Sequence, residues 1–281
     1  APWVLKADGL AAGKGVIIAQ TLPEAEAALD EYFVKRSFGS AGATLVVEDF
    51  LEGYEVSILA ITDGQSVKLL PPSQDHKRAL DGDLGPNTGG MGVYSPVPPV
   101  TPDHLSFVRE RILLPTLAEL RKRGIPYCGV LYAGLMIDGD AVKVVEFNAR
   151  FGDPETECVL PLLDSDLLEA IVAAVDGKLS SASFEVKSGA AATVIMASGG
   201  YPGPYASGAE ITGIDKVRAS LVFHAGTARK GAHLLTAGGR VLAVTHVGKN
   251  LETAIKGAYE DVSRIHFDKC HYRKDIGHRG L

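Results

Sequence analysis

Val144-Val145-Glu146-Phe147-Asn148-Ala149-Arg150-Phe151-Gly152-Asp153-Pro154-Glu155-Thr156-Glu157 opens as an apolar strand and ends as a loop dense in charge. Glu146 and Asn148 are two residues apart, so on a strand their side chains leave the same face. Both offer oxygen to a hard cation such as magnesium. Arg150 is next in the same period and presents a planar fork of donors to an anion. Two cation ligands and an anion clamp on one face suit a nucleoside triphosphate. A polar strand end at a sheet edge is the plainer alternative. Phe147 and Phe151 flank these groups and are expected to draw them into a buried setting.

Just upstream, Gly129 to Ile137 and Ala141 to Phe147 read as a β-hairpin over Asp138-Gly139-Asp140, a strong turn signal. The opening stretch is then the second arm of a central hairpin. Downstream, Pro154 to about Leu163 is expected as a helix or turn. Ser165 is expected to cap a helix to Val175 with Leu167, Leu168, Ile171, Val172 and Val175 facing inward. Before the hairpin, Thr101 caps a helix from about Pro102 to Arg123, which Pro115 should kink.

Residues 71–100 are rich in Gly and Pro and lack periodicity, and a loop this long in a compact domain is functional or disordered. Gln74-Asp75-His76-Lys77-Arg78 sets charges of both signs side by side, and Gly85-Pro86-Asn87-Thr88-Gly89-Gly90-Met91-Gly92 exposes backbone. Met91, Val93 and Tyr94 favour an ordered substrate loop over a disordered linker.

Nearer the start, the apolar strands Trp3–Lys6 and Val16–Ala19 are joined by Asp8-Gly9-Leu10-Ala11-Ala12-Gly13-Lys14-Gly15. Glycines there let backbone N–H groups approach phosphate, and Lys14 adds charge. The Gly-x4-Gly-Lys-Ser/Thr spacing of a P-loop is not met, and a strand follows where a P-loop would start a helix. A hairpin that binds nothing fits these residues equally well. Thr21 caps a helix from about Pro23 to Lys35. Leu45 to Leu51 is a strand whose backbone from Glu48 to Leu51 is placed for an adenine edge, with Glu55 placed for ribose hydroxyls. Two solvated glutamates at strand ends are the alternative. Val56–Ile61 and Ser66–Leu70 form another hairpin.

From about Ser180 the character changes. Ser188–Ser198, Ser220–Ala225 and Arg240–Val247 are apolar strands with glycine turns between them, and Asn250 caps a last helix to Ile265. Strands followed by a helix suggest a small α+β domain.

Composition narrows the function. Hydrophobic residues make up 46% and charged residues 22% of 281, the balance of an ordinary globular protein. A net charge of −6 without basic runs argues against a nucleic-acid surface. Three dispersed cysteines (Cys128, Cys158, Cys270) make a disulfide framework or zinc site a poor fit and a reducing, cytoplasmic setting a good one. No apolar run of about 18 residues is present to span a membrane. The chain starts inside a strand and without Met, as a piece of a longer protein would.

Five stretches together resemble the phosphoribosylamine–glycine ligase (glycinamide ribonucleotide synthetase) family of the ATP-grasp superfamily. They are Lys6 to Val16, Gln74 to Arg78, Gly85 to Gly92, Glu146 to Glu155, and Tyr272-Arg273-Lys274-Asp275-Ile276-Gly277. The resemblance implies an α+β ATP-grasp fold. Residues 1–54 would be part of a lid subdomain, 55–180 an antiparallel-sheet catalytic body, and 181–281 a small α+β C-terminal domain. The family's N-terminal Rossmann-like domain would be missing, and the resemblance leaves room for fusion to another purine-pathway enzyme. The resemblance also implies ATP between lid and body. Lys6, Gly13, Lys14 and Gly15 would serve the phosphates, Glu48, Phe50 and Leu51 the adenine, and Glu55 the ribose. Glu146 and Asn148 would bind Mg2+ or Mn2+. Many ATP-grasp enzymes carry a further carboxylate near Gly134; Ala133-Gly134-Leu135 has none. Arg150 would hold the transferring phosphoryl group, and Asp75, Lys77 and Asp153 would contact glycine or 5-phosphoribosylamine. Two rivals remain: another ATP-grasp ligase or carboxylase, and a nucleotide-binding fragment without activity.

Overall fold

The computed structural model of the chain describes residues 1–11 and 15–281. The chain divides into two compact units, Ala1–Gly53 and Tyr54–Leu281.

The first unit holds β1 (Trp3–Ala7), β2 (Val16–Ala19), α1 (Leu22–Leu29) and β3 (Leu45–Asp49). Its strands form an antiparallel sheet in the order β2-β1-β3. Thr21 caps α1 through its side chain and Pro23 sits in the first turn, where a missing N–H costs nothing. The α-helix ends at Leu29, short of the expected Lys35, and a π-wound turn over Asp30–Val34 continues it. That turn delivers Tyr32 into the core beside Leu5, Ala19 and Ala28. Its hydroxyl lies 2.9 Å from the carbonyls of both Leu5 and Gly15, satisfying the one polar atom of a buried ring.

The second unit begins with β4 (Tyr54–Thr62) and β5 (Val67–Leu69). Residues 71–100, expected as an ordered loop, form four short strands: β6 (Gln74–Asp75), β7 (Arg78–Leu80), β8 (Leu84–Asn87) and β9 (Gly92–Ser95). Next come α2 (Pro102–Phe107) and α3 (Leu114–Lys122), joined by a π-wound turn over Val108–Leu113 just ahead of Pro115. The central hairpin is β10 (Gly129–Asp138) and β11 (Ala141–Asn148), followed by α4 (Glu155–Val159) and α5 (Leu167–Val175). The remainder is β12 (Ala190–Ala197), β13 (Leu221–His224), β14 (Thr227–Lys230), β15 (His233–Thr236), β16 (Arg240–Gly248) and α6 (Leu251–Val262).

One sheet of this unit runs β11-β10-β4-β5. Val56, Ile58, Ala60, Leu131, Ala133 and Leu135 pack one face against Val108, Ile112, Leu113 and Leu117. The opposite parity, Leu59, Ile61 and Tyr132, meets Val159, Leu163, Ala170 and Ala174. Both faces are covered, so β4 and β10 read as continuous apolar runs. β11 is the edge strand and stays largely exposed.

The second sheet runs β13-β16-β12-β9-β6, with α6 packed on β12 and β16 through Ala258 and Val262. β9 pairs with β12, Gly92 opposite Val194, so the end of the Gly-rich segment is built into the C-terminal sheet. Asn250 and Thr253 close a capping box at the start of α6.

Two expectations about α5 are corrected. Asp166, not Ser165, caps it; Ser165 Oγ instead accepts a bond from Glu185 N at 2.8 Å. Its contact face is Ala170 and Ala174 with Leu167, which packs as expected, while Leu168, Ile171, Val172 and Val175 are exposed. Alanines let the helix axis approach the sheet closely, which leaves the larger side chains outside.

Candidate functional site

On β11, Glu146 and Asn148 share a face as the alternation requires, and Asn148 Nδ2 donates to Glu146 Oε1 at 3.1 Å. A bulge sharpens the geometry. Gly134 pairs with Glu146 and Leu135 with Val144, so Val145 is the extra residue. Gly134 also makes room: a Cβ there would stand 3.2 Å from Glu146 Cγ. The expected burial does not occur. Phe147 is 42% exposed and Glu146 is exposed, on a strand that among the described residues is paired on one side only. Arg150 falls beyond the end of β11, so the alternation stops short of it; its Nη1 donates to Phe151 O at 2.9 Å.

The asparagine's bond commits its amide nitrogen and leaves Oδ1, with Glu146 Oε2, as oxygen donors. Among the described residues no group of three or more His, Cys, Asp or Glu side chains is set to hold a metal. Two hard oxygen donors on an open edge fit a cation that takes its other ligands from phosphate and water, as magnesium does.

Next to this edge lies a polar cluster in which the side chains of Asp75 and Glu155 are buried and those of Lys77 and Glu55 half-buried. Lys77 pairs with Glu55, and with Asp75 at 3.2 Å. Burial opposes the charge on Lys77, but Asp75 and Glu55 outweigh it and hold the ammonium well above its ordinary pKa. Burial pushes Asp75 up, helped by the charge of Glu55. Gln74 Nε2 donates to Glu55 O at 2.7 Å, and Tyr94 OH to Gln74 Oε1 at 2.8 Å, which fixes β6 beneath the site. Glu155, in the first turn of α4, is 4% exposed. Ser57 Oγ and Tyr132 OH are 2.6 Å apart and lie 3.2 and 3.0 Å from Glu155 Oε1. Burial, then the charge of Asp75, raises Glu155 to about 7. A Cβ at Gly152 would collide with this carboxylate, so the glycine is what lets Glu155 turn inward.

Asp153 is ion-paired to Arg240 at 3.1 Å. Arg240 Nη1 also donates to Asp153 O at 2.9 Å and to Gly89 O at 2.8 Å. The C-terminal segment holds the rest of the Gly-rich segment. His271 Nε2 lies 2.7 Å from Ala79 O, and Lys274 N donates to Asp81 at 2.8 Å. Gly277 N donates to His76 Nε2 at 3.2 Å, and buried His76 is held down to about 3 by burial and by Arg273. Ser57, Tyr132 and Arg240 were not singled out by sequence. The one available signal for Arg240 was a cation opening an apolar strand directly after Gly238-Gly239.

Within the first unit, Lys6 is paired with Glu48. Gly15 O accepts from Ala7 N at 2.8 Å, and β3 ends at Asp49, before Phe50 and Leu51. Gly13 and Lys14 lie outside the described residues.

An antiparallel sheet thus carries an oxygen pair on its edge strand, beside a lysine–carboxylate cluster. Comparison with known proteins gives the family. Residues 1–156 match the phosphoribosylglycinamide synthetase ATP-grasp (A) domain, and residues 191–279 match the C domain of the same synthetase. The chain is 53% identical over 281 residues to the chicken (Gallus gallus) trifunctional purine biosynthetic protein adenosine-3, covering 99% of this chain and 28% of that protein. It is 50% identical over 283 residues to the phosphoribosylamine–glycine ligase of Chlorobaculum tepidum, covering all of this chain and 67% of the ligase. The crystal structure of the Thermotoga maritima phosphoribosylamine–glycine ligase superposes with a TM-score of 0.88 at 36% identity, over 98% of this chain and 68% of that one. The chain belongs to the phosphoribosylglycinamide synthetase family, and its fold is ATP-grasp. It spans about a quarter of the longer fused relative and two thirds of the single-function ligase. Among the described residues no helix is long and apolar enough to cross a membrane.

Proposed function

We propose that the protein containing this chain joins glycine to 5-phosphoribosylamine at the expense of ATP, giving glycinamide ribonucleotide, ADP and phosphate. One observation carries this: the 50% identity to a phosphoribosylamine–glycine ligase runs through the whole chain. The carboxylate of glycine attacks the γ-phosphate, and the amine of phosphoribosylamine then displaces phosphate from glycyl phosphate. No protein nucleophile is needed; positioning and charge neutralisation supply the catalysis.

Glu146 and Asn148 would hold Mg2+ or Mn2+, which neutralises charge on the phosphates when bound. Lys6, Gly13, Lys14, Gly15, Glu48, Phe50, Leu51 and Glu55 are assigned to ATP. Arg150 is assigned to the transferring phosphoryl group, and Asp75, Lys77 and Asp153 to glycine or phosphoribosylamine. Two of these assignments are constrained by pairing: Lys77 is held by Glu55 and Asp75, and Asp153 by Arg240. The proposed location is the cytoplasm, where the free thiols of Cys128, Cys158 and Cys270 stay reduced. Fusion to further purine enzymes, as in the chicken relative's trifunctional chain, is part of the same proposal.

The test is ADP release by the full-length protein with ATP and magnesium. Turnover is expected with glycine plus phosphoribosylamine and not with bicarbonate. Turnover with bicarbonate alone would transfer the chain to the carboxylases. Binding of ATP with no turnover in the full-length protein would make it a nucleotide-binding module.

A further inference from the structure

Arg240 opens β16, opposite Ala197 on β12. Its backbone is fixed from both sides: Gly226 N donates to Arg240 O at 2.9 Å, and Ser198 N donates to the carbonyl of the preceding Gly239 at 2.8 Å. From that anchor its side chain, 20% exposed, reaches two loops that are far apart in sequence. One nitrogen, Nη1, serves Gly89 O, Asp153 O and the Asp153 carboxylate together. The other backbone group of Gly89 is taken as well, its N–H donating to Tyr201 OH at 2.9 Å. Both polar groups of one loop glycine are therefore held by the C-terminal segment.

A side chain at these places would have to displace its neighbours. A Cβ on Gly89 would lie 2.9 Å from Arg240 Cζ, and one on Gly90 would lie 2.5 Å from Pro154 Cδ. A Cβ on Gly239 would strike the ring of Tyr201. Gly90 also has a φ of 113°, which favours glycine. Residues 89–90, 153–154, 201 and 239–240 thus interlock, with the guanidinium at the centre.

Resting on the ligase reading above, we propose that Arg240 is a positioning residue. It holds the Gly-rich loop and the carboxylate of Asp153 in one fixed arrangement, so that glycine or phosphoribosylamine meets a prebuilt surface. It acts through Gly89 and Asp153 rather than on the reacting atoms. Fixing two loops before substrate arrives lowers the entropy lost on binding and on reaching the reactive geometry.

The experiment is steady-state kinetics on the full-length protein with each substrate varied in turn, beside thermal unfolding. Arg240→Ala is expected to cost at least tenfold in kcat/KM for glycine or phosphoribosylamine while leaving the KM for ATP within about twofold. Arg240→Lys is expected to recover part of the loss, because a single ammonium has three donors for the same three acceptors. Gly89→Ala keeps the arginine but displaces it, and is expected to reproduce the substrate-selective loss. If Arg240→Ala raises the KM for ATP as much as it raises the KM for glycine or phosphoribosylamine, or leaves kcat/KM for both of these unchanged, the proposal is overturned. If Arg240→Ala does not fold, Gly89→Ala decides by the same split. Failure of the wild type to make glycinamide ribonucleotide overturns the ligase reading and this inference with it. An active wild type with an indifferent Arg240→Ala overturns this inference alone.

Discussion

Arg273 Nη1 donates to Asp83 Oδ1 at 3.0 Å across 190 residues of sequence. The guanidinium is fully buried, and its Nε and Nη2 grip both carboxylate oxygens of Asp275 at 2.8 Å each. Nη1 also reaches Arg78 O at 3.2 Å. Removing one partner of a buried, bidentate charge group leaves the others uncompensated, at about 3–5 kcal/mol. Arg273→Ala is therefore expected to lower unfolding free energy by about that much and to speed proteolysis within residues 78–88. A loss under about 1 kcal/mol, the range of an exposed pair, would mean the clamp is ornamental.

Glu155 predicts a pH dependence. Its carboxyl is raised from 4.5 to about 7 in the fold, so between those values the native state holds a proton that the unfolded state has released. Stability contributed at this position is present below about 4.5 and is lost as pH rises through about 7. Glu155→Gln keeps an uncharged oxygen for Ser57 and Tyr132 and removes that loss. The variant should gain on wild type from pH 5 to pH 8, by at most about 3 kcal/mol. His76, held down to about 3, acts with the opposite sign between about 6.5 and 3. The quantity to measure is thus the difference between variant and wild type in denaturant melts across pH. A constant difference would contradict the assignment.

The oxygen pair proposed to hold the cation makes its own prediction. Glu146→Ala should weaken magnesium-dependent ATP binding by more than tenfold in calorimetry. Gly134→Ala, which crowds Glu146 Cγ, should weaken it less but in the same direction. A change within about threefold for Glu146→Ala, or about 0.7 kcal/mol, would remove Glu146 from the metal.

Val172 on α5 is 51% exposed. Val172→Lys should change stability by no more than about 0.5 kcal/mol, as at an ordinary surface position. A thermal shift corresponding to more than about 1.5 kcal/mol of loss would show that the helix buries this face after all.

These residues also show what was legible in the sequence. The central hairpin was, because Asp138-Gly139-Asp140 fixes its turn and β10 is continuously apolar. Glu146 and Asn148 were legible from the strand period alone. The exposure of β11 was not, since sequence does not say which strand lies at an edge. On α5 the large apolar residues outweighed Ala170 and Ala174, although the small residues carry the contact. Within residues 71–100 the strands are two to four residues long, and β9 finds its partner in β12 about a hundred residues later, so no local period exists to read. The Arg240–Gly89 bond spans 151 residues and joins a side chain to a carbonyl, which leaves no residue-type signature at the glycine.

The central claim is that glycine is activated through its carboxylate by ATP, and an isotope transfer tests it most directly. The full-length protein would be given ATP, magnesium, phosphoribosylamine and glycine carrying oxygen-18 in both carboxylate oxygens. Mass spectrometry of the released phosphate should find one labelled oxygen per molecule, carried over when the amine displaces phosphate from glycyl phosphate. Product formed with unlabelled phosphate would contradict the account.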